Sequence, residues 1–333
     1  MTNKLCRYNI EREKKKEGAV NFYHEGNLSV LANMARARDV KEKRGASPLR
    51  CAWGVLSGGM TCIGGAGLAV SLEKNQLVKG LDVAVGVSAG SCVAAYTVAG
   101  QAEVGATIFS EECLSEDFIS WERRRKGGSV FNLPYLMDVF RGAVGDKKLN
   151  VENIVHSTID LLIGATHWET GESRLFNAKE ELHDVVHGIH ASVCLPGWCK
   201  DDVRISGEKF VDGACSSALP INRVVRRYCP TDILVFANRP KGWKPPWLQR
   251  TVLEEFFMWK EEFPAPLRKA IREREYVLEQ RLNFLLNRCG ARALIIYPEK
   301  EAGTFCRNRK ILTELREDAT EYMDTLTKGV LGA

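Results

Sequence analysis

The sequence predicts an α/β fold with a largely parallel sheet. Short apolar runs rich in β-branched residues alternate with helical stretches along most of the chain. Glycine-rich turns follow two of these runs, and no internal repeat interrupts the alternation. The length of 333 residues suits one sizeable domain that carries insertions.

The elements are expected in a definite order after residue 50. The first strand is predicted at 52–56, and the helix that follows its glycine-rich turn at 66–74. A second strand at 81–87 leads directly into a helix from 88 to about 98. The later strands are predicted at 161–165, 174–176, 209–211, 232–237 and 293–297, and the later helices at 180–191, 267–285 and 310–327.

Two other segments need an interpretation. The uncharged run at 51–72 is long enough to raise the question of a membrane helix, but its glycines favour a buried strand, loop and helix. Residues 115–150 break the alternation and are predicted to be an insertion that covers a site.

The basic charge is concentrated at the N-terminus. Residues 1–50 contain twelve Lys and Arg against six Asp and Glu, whereas the whole chain has a net charge of +5. We therefore expect a basic, partly disordered extension at 1–49 and the folded domain at 50–333. Such an arm is either a solvated extension or a segment attracted to anionic lipid head groups, whereas no nucleic-acid-reading module is recognisable.

Cysteine use and the N-terminal sequence predict a cytoplasmic protein. Eleven cysteines are scattered through the chain without a disulfide-type spacing, which is typical of free thiols in a reducing compartment. The first residues contain no apolar segment of the kind found in secretory signals.

The motif GVSAG at 86–90 is the main indication of chemistry. It places Ser88 between a predicted strand and a predicted helix, where small residues such as Gly86 and Gly90 allow a sharp turn that exposes the serine. The helix N-terminus offers N–H groups to developing negative charge. The alternative interpretation is a tight turn in which Ser88 only caps the helix.

Two further segments supply what a serine nucleophile requires. Asp212, at the end of a predicted strand and before Gly213, is placed to act as a general base. The turn Ser57-Gly58-Gly59-Met60 follows the first strand, so that the backbone amides of Gly58, Gly59 and Met60 are candidates for an oxyanion hole.

The motifs SGGM, GVSAG and DGA, in this order, resemble those of the patatin-like phospholipases. The segments 165–177 and 191–198 extend the resemblance, and 129–140 and 292–300 are similar to the bacterial-type branch, so that it covers roughly residues 50–325. The resemblance implies a three-layer α/β/α fold and a Ser–Asp dyad without histidine. It also implies esterase or phospholipase A chemistry on acyl lipids through an acyl-enzyme on Ser88.

The oxyanion loop departs from the family pattern. Members usually have GGGxRG or GGGxKG, whereas this chain has SGGMTC, with Ser57, Thr61 and Cys62 in place of a glycine, the basic residue and the last glycine. Gly58 and Gly59 are retained. The departure leaves open a weakly active or inactive lipid-binding protein, and the dyad leaves open transfer of the acyl group to an acceptor other than water.

Several other residues are weaker candidates. His183, His187 and His190 have helical spacing and suggest a metal site or a Ser–His–Asp triad, but no clear ligand set accompanies them. Cys62 and Cys92 are expected to be small core residues. Trp243 and Trp247, interleaved with lysines, fit either a packed loop or interfacial lipid contacts.

The sequence therefore predicts a serine lipid acyl hydrolase that needs no metal and no organic cofactor. Its expected partners are an acyl lipid substrate and an anionic membrane surface at the periphery, and no nucleic acid. The head group, the acyl length and the oligomeric state have no signature in the sequence.

Overall fold

A computed structural model describes residues 22–43, 45–244, 254–260 and 262–332. The strands of the described residues are β1 Phe22–Gly26, β2 Cys51–Val55, β3 Leu81–Val87, β4 Asp160–His167, β5 Ser173–Asn177, β6 Val203–Ile205, β7 Glu208–Asp212, β8 Asp232–Phe236 and β9 Arg292–Pro298. The α-helices are α1 Ser29–Glu42, α2 Cys62–Lys74, α3 Ala89–Val98, α4 Ala102–Ser110, α5 Trp121–Arg125, α6 Leu133–Arg141, α7 Val151–His156, α8 Val185–Val193, α9 Ile221–Tyr228, α10 Glu254–Lys260, α11 Ala265–Asn287 and α12 Arg309–Leu331.

The sheet has a parallel centre and antiparallel edges. Its order is β1-β9-β8-β2-β3-β4-β7-β6, and β5 pairs with β4 beside this path. The neighbours from β9 to β4 run parallel, whereas β1, β5 and β7 are antiparallel to their partners. The expected α/β fold with a largely parallel sheet is thus confirmed.

Alternate residues of each central strand enter two separate cores. Trp53 and Val55 of β2 pack with helices that include α2, α3 and α12, whereas Ala52 joins a second core with α9 and α11. The same alternation holds for β3, β8 and β9. Because apolar side chains leave both faces of the sheet, helices must cover both, which gives three layers.

The expected domain boundary at residue 49 is wrong for residues 22–43. β1 pairs with β9 over its whole length, and α1 buries Val30, Leu31 and Met34 in the main core. These residues therefore belong to the folded domain despite their basic composition. Residues 1–21 of the expected basic arm, and Trp247, lie outside the described residues.

The other expectations differ mainly at element ends. The helix predicted at 180–191 begins only at Val185, because the Asp184 side chain accepts hydrogen bonds from the amides of Val186 and His187 and so caps the helix there. The insertion at 115–150 contains α5 and α6. Within the described residues, no helix is long and apolar enough to cross a membrane.

Candidate active site

Ser88 occupies a strained turn between β3 and α3. Its backbone has φ 55° and ψ −135°, a conformation that non-glycine residues rarely adopt. Two serines hold this backbone: the Ser88 amide donates to Oγ of Ser192 at 2.9 Å, and the Ser91 hydroxyl donates to the Ser88 carbonyl at 2.6 Å. The Ser88 side chain makes no helix-capping hydrogen bond, so the alternative of a capping serine is not supported.

Close backbone packing explains the two glycines of the motif. A Cβ at Gly86 would lie 2.4 Å from the carbonyl oxygen of Gly90, and a Cβ at Gly90 would lie 2.6 Å from that of Leu56. Real Cβ atoms do not approach backbone atoms so closely. Gly86 and Gly90 therefore allow the turn at Ser88, as expected for a nucleophile elbow.

Asp212 meets Ser88 because two strands end against each other along one edge of β4. The last residue of β3, Val87, pairs with Gly164, and the last residue of β7, Asp212, pairs with Ala165. β5 occupies the opposite edge over 162–166, so β3 and β7 must share the remaining edge. Their carboxyl ends therefore point toward each other.

A short hydrogen bond joins the two side chains. The Ser88 hydroxyl donates to Oδ2 of Asp212 at 2.6 Å, and both residues are buried, with 8% and 3% of their surface exposed. The other carboxylate oxygen, Oδ1, accepts the Ala214 amide at 2.8 Å. Gly213 is needed here because a Cβ would lie 2.3 Å from the carbonyl oxygen of Gly164.

Burial sets the acidity of Asp212. It raises the pKa of the carboxyl from 3.8 to about 6, although the hydrogen bonds from Ser88 and Ala214 and the charges of Arg274 and Arg239 lower it. Desolvation dominates because the carboxylate loses water without gaining a cation in direct contact. A carboxylate with this pKa is ionised at neutral pH and is a stronger base than an exposed aspartate.

The loop after β2 presents backbone donors beside this pair. The amides of Gly58 and Gly59 donate to no acceptor within the part of the chain that the structure describes. The Met60 amide differs from the expectation, because it donates to the carbonyl oxygen of Thr304 at 3.1 Å. Two of the three expected oxyanion donors thus remain available.

Asn238 holds this loop from the neighbouring strand. It follows β8, which pairs with β2, and its buried amide group donates to the Leu56 carbonyl and to Sγ of Cys62. Its Oδ1 accepts the Gly65 amide at 3.1 Å. Cys62 therefore belongs to the packing that fixes the loop, and burial raises its pKa well above the usual range.

Ser88 and Asp212 face a cavity of about 220 Å³. Gly58, Gly59 and Cys92 also line it, and the insertion at 115–150 contributes part of its apolar wall, as expected. The apolar lining includes Phe109, Phe118, Phe131, Leu136, Phe140, Trp198, Phe257 and Phe305. Trp243 lines the cavity as well, with the guanidinium carbon of Arg239 3.8 Å from its ring centre.

The histidines take no part in this arrangement. His183, His187 and His190 do not line the cavity, and Nε2 of His187 is 2.8 Å from the Arg204 carbonyl oxygen. Among the described residues, no group of three or more His, Cys, Asp or Glu side chains is placed to hold a metal ion.

Sequence reasoning missed four residues that support the site. Ser192 lies on α8, Asn238 and Arg239 follow β8, and Thr304 lies in the loop before α12. Of these, only Asn238 and Arg239 had a local signal in the sequence, because they are polar residues directly after an apolar strand. Side chains at the carboxyl ends of parallel strands gather at one edge of the sheet. The other two are brought to the site by long-range packing.

The fold and the site define a class of hydrolytic protein in which a serine at a strand–helix turn bonds directly to an aspartate, beside a glycine-rich loop. The sequence model described as patatin-like phospholipase matches residues 54–225, about half of the chain. The chain belongs to the patatin-like phospholipase family. Membership of this family indicates a lipid acyl hydrolase.

Distant solved structures resemble the chain in part. VipD from Legionella pneumophila is 9% identical, with a TM-score of 0.46, and the match covers 96% of this chain and 72% of VipD. The type III effector protein ExoU is 12% identical, with a TM-score of 0.38, over 86% of this chain and 54% of ExoU. A complex of SpcU with ExoU from Pseudomonas aeruginosa is matched at 16% identity and a TM-score of 0.30, over 76% of this chain and 55% of the other. No curated protein matches the chain in sequence.

Proposed function

We propose that the protein hydrolyses acyl esters of lipids through an acyl-enzyme on Ser88, with Asp212 as the general base. The observation that supports this most directly is the 2.6 Å hydrogen bond from the Ser88 hydroxyl to the Asp212 carboxylate in a largely apolar cavity. A serine hydroxyl is a weak nucleophile until a positioned base takes its proton. Asp212 is the group in contact with that proton.

In the acylation step, Oγ of Ser88 attacks the ester carbonyl carbon while its proton moves to Oδ2 of Asp212. The electron pair of the carbonyl bond moves to the oxygen, and the amides of Gly58 and Gly59 donate hydrogen bonds to this oxyanion. When the tetrahedral intermediate collapses, the bond to the leaving alkoxide breaks and Asp212 returns the proton to it. The products are the alcohol and an ester on Ser88.

In the deacylation step, water attacks the acyl-enzyme and gives its proton to Asp212. A second oxyanion forms at the same amides and then collapses, so that the fatty acid leaves and the proton returns to Ser88. The same two residues carry both half-reactions, and the balance requires neither a metal ion nor an organic cofactor.

The substrate we propose is a phospholipid or lysophospholipid. The aromatic and aliphatic lining suits an acyl chain, and burial of apolar surface contributes about 25 cal/mol per Å² to binding. Arg239, Lys241 and Arg274 line the same cavity, together with Glu275 and Glu279. Because Lys241 pairs with Glu25 and Arg274 with Glu275, Arg239 is the cation that best suits an anionic head group. We also propose that the chain works in a reducing, cytoplasmic compartment, since the ten cysteines of the described residues are free.

The direct test measures ester turnover by the wild type and by the Ser88→Ala variant. A short p-nitrophenyl ester and vesicles of phospholipid and lysophospholipid serve as substrates, and released fatty acid is identified by mass. Activity that is absent in Ser88→Ala supports the proposal, as does a mass increase at Ser88 after a fluorophosphonate reacts. Turnover that persists in a folded Ser88→Ala variant would refute it.

One observation favours an inactive lipid-binding protein as the second candidate. The Met60 amide is bonded to Thr304, and SGGMTC lacks the family's basic residue, so that the oxyanion site has fewer donors than expected. A folded wild type that binds lipid vesicles but neither hydrolyses an ester nor reacts with a fluorophosphonate would establish this second function. Acyl transfer, in contrast, would give a new ester as product instead of free fatty acid.

A further inference from the structure

Three large aromatic side chains are exposed on helices that also contribute to the surroundings of the cavity. Trp259 is 74% exposed, Trp121 is 52% exposed and Phe256 is 47% exposed. They lie on α5 and α10, and single exposed apolar residues are common on protein surfaces. A group of large aromatic residues beside a binding cavity is not, because it leaves a contiguous apolar area in water.

Ring contacts connect these residues to the cavity. The ring centre of Trp121 is 5.9 Å from that of Trp198, which is 5.4 Å from that of Phe257. Phe256 contacts Phe257 at 5.8 Å and Trp259 at 6.5 Å. Because Trp198 and Phe257 line the cavity that contains Ser88, the exposed aromatics continue its apolar wall to the surface.

Basic side chains accompany the aromatic ones. The Arg124 guanidinium lies 5.0 Å from the ring centre of Phe257, and the Lys260 ammonium lies 5.7 Å from that of Phe256. Arg125 is exposed on the same short helix as Trp121. Of the acidic neighbours, Glu122 is paired with Lys126 and Glu255 with Arg272, while Glu262 is exposed. We define the entrance surface as Trp121, Arg125, Phe256, Trp259 and Lys260.

We propose that the entrance surface docks on an anionic lipid bilayer, with the aromatic rings at the level of the head groups. Aromatic rings beside Lys and Arg are typical of such contacts, because the rings leave water while the cations meet anionic lipids. Each basic residue near such a surface strengthens the attraction to anionic lipids. Docking in this position places the membrane beside the apolar wall that continues into the cavity, which suits the proposed hydrolysis of lipids. The binding itself does not require catalysis.

The test is co-sedimentation of the full chain with vesicles of phosphatidylcholine that contain a minority of phosphatidylserine. Trp121→Ala/Trp259→Ala is expected to weaken vesicle binding by about tenfold or more. Val155→Ala removes an exposed apolar side chain on α7, just before the amino end of β4, and is expected to leave binding unchanged. Turnover of a soluble p-nitrophenyl ester should be equal in both variants.

The charge contribution has its own pair of variants. Arg125→Gln/Lys260→Gln is expected to weaken binding to anionic vesicles more than binding to neutral ones. Lys43→Gln/Lys79→Gln makes the same change in net charge on residues before β2 and β3, at the amino ends of these strands. Equal loss in both pairs would overturn the proposal, as would unchanged binding of the tryptophan variant. Because Ser88→Ala should bind vesicles like the wild type, failure of the proposed hydrolysis remains distinguishable from failure of the docking.

A second inference concerns the missing basic residue of the oxyanion loop. Thr61, which occupies its position, is buried, and its hydroxyl donates to the Gly58 carbonyl at 2.8 Å. Thr61 does not line the cavity, whereas Arg239 does, together with Ser88, Gly58 and Gly59. Arg239 reaches this position because it follows β8, the strand that lies beside β2.

The Arg239 side chain is fixed but only partly neutralised. Its Nη2 donates to Oγ1 of Thr304 at 3.1 Å, and its guanidinium stacks on Trp243. The carboxylate of Glu301 is 3.9 Å from its buried Nε, which makes no hydrogen bond in the described structure. Its positive charge acts on the catalytic pair, since it lowers the pKa of Asp212.

We infer that Arg239 supplies the positive charge for the oxyanion that Thr61 does not provide. The charge lies in a largely apolar cavity, where it acts more strongly than in water. The Arg239 charge thus compensates for the basic residue that the loop SGGMTC lacks. This inference depends on the proposed acyl-enzyme chemistry, and the fluorophosphonate reaction tests it even where ester turnover is absent.

The test compares Arg239→Met, Arg239→Lys and Lys244→Met on an uncharged p-nitrophenyl ester. Arg239→Met is expected to lower kcat by roughly 10²-fold with little change in KM, and Arg239→Lys to recover part of the loss. Lys244→Met removes an exposed charge five residues away, from a side chain that does not line the cavity, and should change kcat little. The rate at which a fluorophosphonate labels Ser88 should fall in the same order.

The pH profile separates an electrostatic role from a structural one. Without the Arg239 charge the pKa of Asp212 rises, so the acid limb of kcat/KM is expected to move to higher pH in Arg239→Met and to stay in place in Arg239→Lys. A loss confined to KM for anionic lipids would make Arg239 a head-group ligand only and would overturn the inference. So would a kcat and a labelling rate equal to those of the wild type.

Discussion

Two buried aspartates lie at opposite ends of the parallel strands and have opposite properties. Asp232, at the start of β8, is bound by both ends of the Arg292 guanidinium at 2.7 and 2.8 Å and by the Asn33 amide at 2.8 Å. Burial raises its pKa, but these hydrogen bonds outweigh burial and hold the pKa below the usual range. Asp212, at the end of β7, is hydrogen-bonded to Ser88 and to one amide, and its pKa is about 6.

The difference shows what makes a buried carboxylate reactive. Asp232 has a cation in direct contact, so its negative charge is satisfied and it joins β8, β9 and α1. Asp212 has lost water without such a partner, so it retains the tendency to take a proton. Burial alone does not distinguish a structural aspartate from a catalytic one, whereas the partners of its oxygens do.

The largest expected effect is the loss of activity when the Asp212 carboxylate is removed. Asp212→Asn cannot accept the Ser88 proton, and kcat/KM for a short ester should fall by roughly 10⁴-fold. Asp202→Asn, on an exposed aspartate, is the matched control and should retain activity. Near-normal turnover by Asp212→Asn would remove Asp212 from the role of base.

The next effect is the loss of stability when the Asp232 carboxylate is removed. Asp232→Ala leaves Arg292 and the buried Asn33 without their partner, and we expect it to lower the free energy of unfolding by about 3 kcal/mol. Urea denaturation measures this loss, and Asp202→Ala should cost less than about 1 kcal/mol. A loss no greater than that of the control would contradict the structural role assigned to Asp232.

A smaller effect with the opposite sign is expected at Asp212. Its pKa is 3.8 before burial and about 6 after it. The folded state therefore binds the proton more tightly, and this group's contribution to stability is lost as pH rises from about 4 to 6. Since a pKa difference of one unit corresponds to 1.36 kcal/mol, Asp212→Asn should be more stable than the wild type at pH 8 by up to about 3 kcal/mol.

Thermal or urea unfolding at several pH values measures this difference. The gain of Asp212→Asn should shrink as pH falls and approach zero below about pH 3, where the wild-type carboxyl is protonated in both states. A gain that does not depend on pH would show that the charge of Asp212 is not its cause.

The smallest effect is the pH dependence of the wild type. Because Asp212 must be ionised to act as a base, kcat/KM should be half-maximal near pH 6 and reach a plateau at about pH 7. One pH unit below the pKa it should be about tenfold lower. A profile that continues to rise between pH 7 and 9 would point to a base with a higher pKa.

The sequence predicted the reactive pair better than its surroundings. Ser88 and Asp212 were identifiable because each lies in a short motif whose turn requires glycine. Asn238 and Arg239 carry no motif, and the adjacency of β2 and β8 brings them to the oxyanion loop. Thr304 carries no motif either and reaches the loop from the segment before α12. The engagement of the Met60 amide by Thr304 likewise depends on a contact between residues distant in sequence.

The N-terminal boundary failed for a related reason. β1 is an edge strand of only five residues, FYHEG, whose pattern is weak without its partner β9. α1 carries several charged residues, but it buries Val30, Leu31 and Met34 at helical spacing. Attention to that spacing instead of the net charge would have assigned α1 to the domain.

The junction of β3 and β7 along β4 has a consequence for how this chain can change. The separation of Ser88 and Asp212 is fixed by the pairing of β3 and β7 with Gly164 and Ala165, not by the side chains of the cavity. Substitutions that reshape the acyl pocket therefore leave the dyad in place. An insertion of one residue between these two positions would shift one member by about 3.3 Å along the strand and move every following side chain to the other face of the sheet. Length in this strand is thus under far tighter constraint than side-chain identity, and the cavity lining can diverge by substitution while the Ser88–Asp212 pair persists.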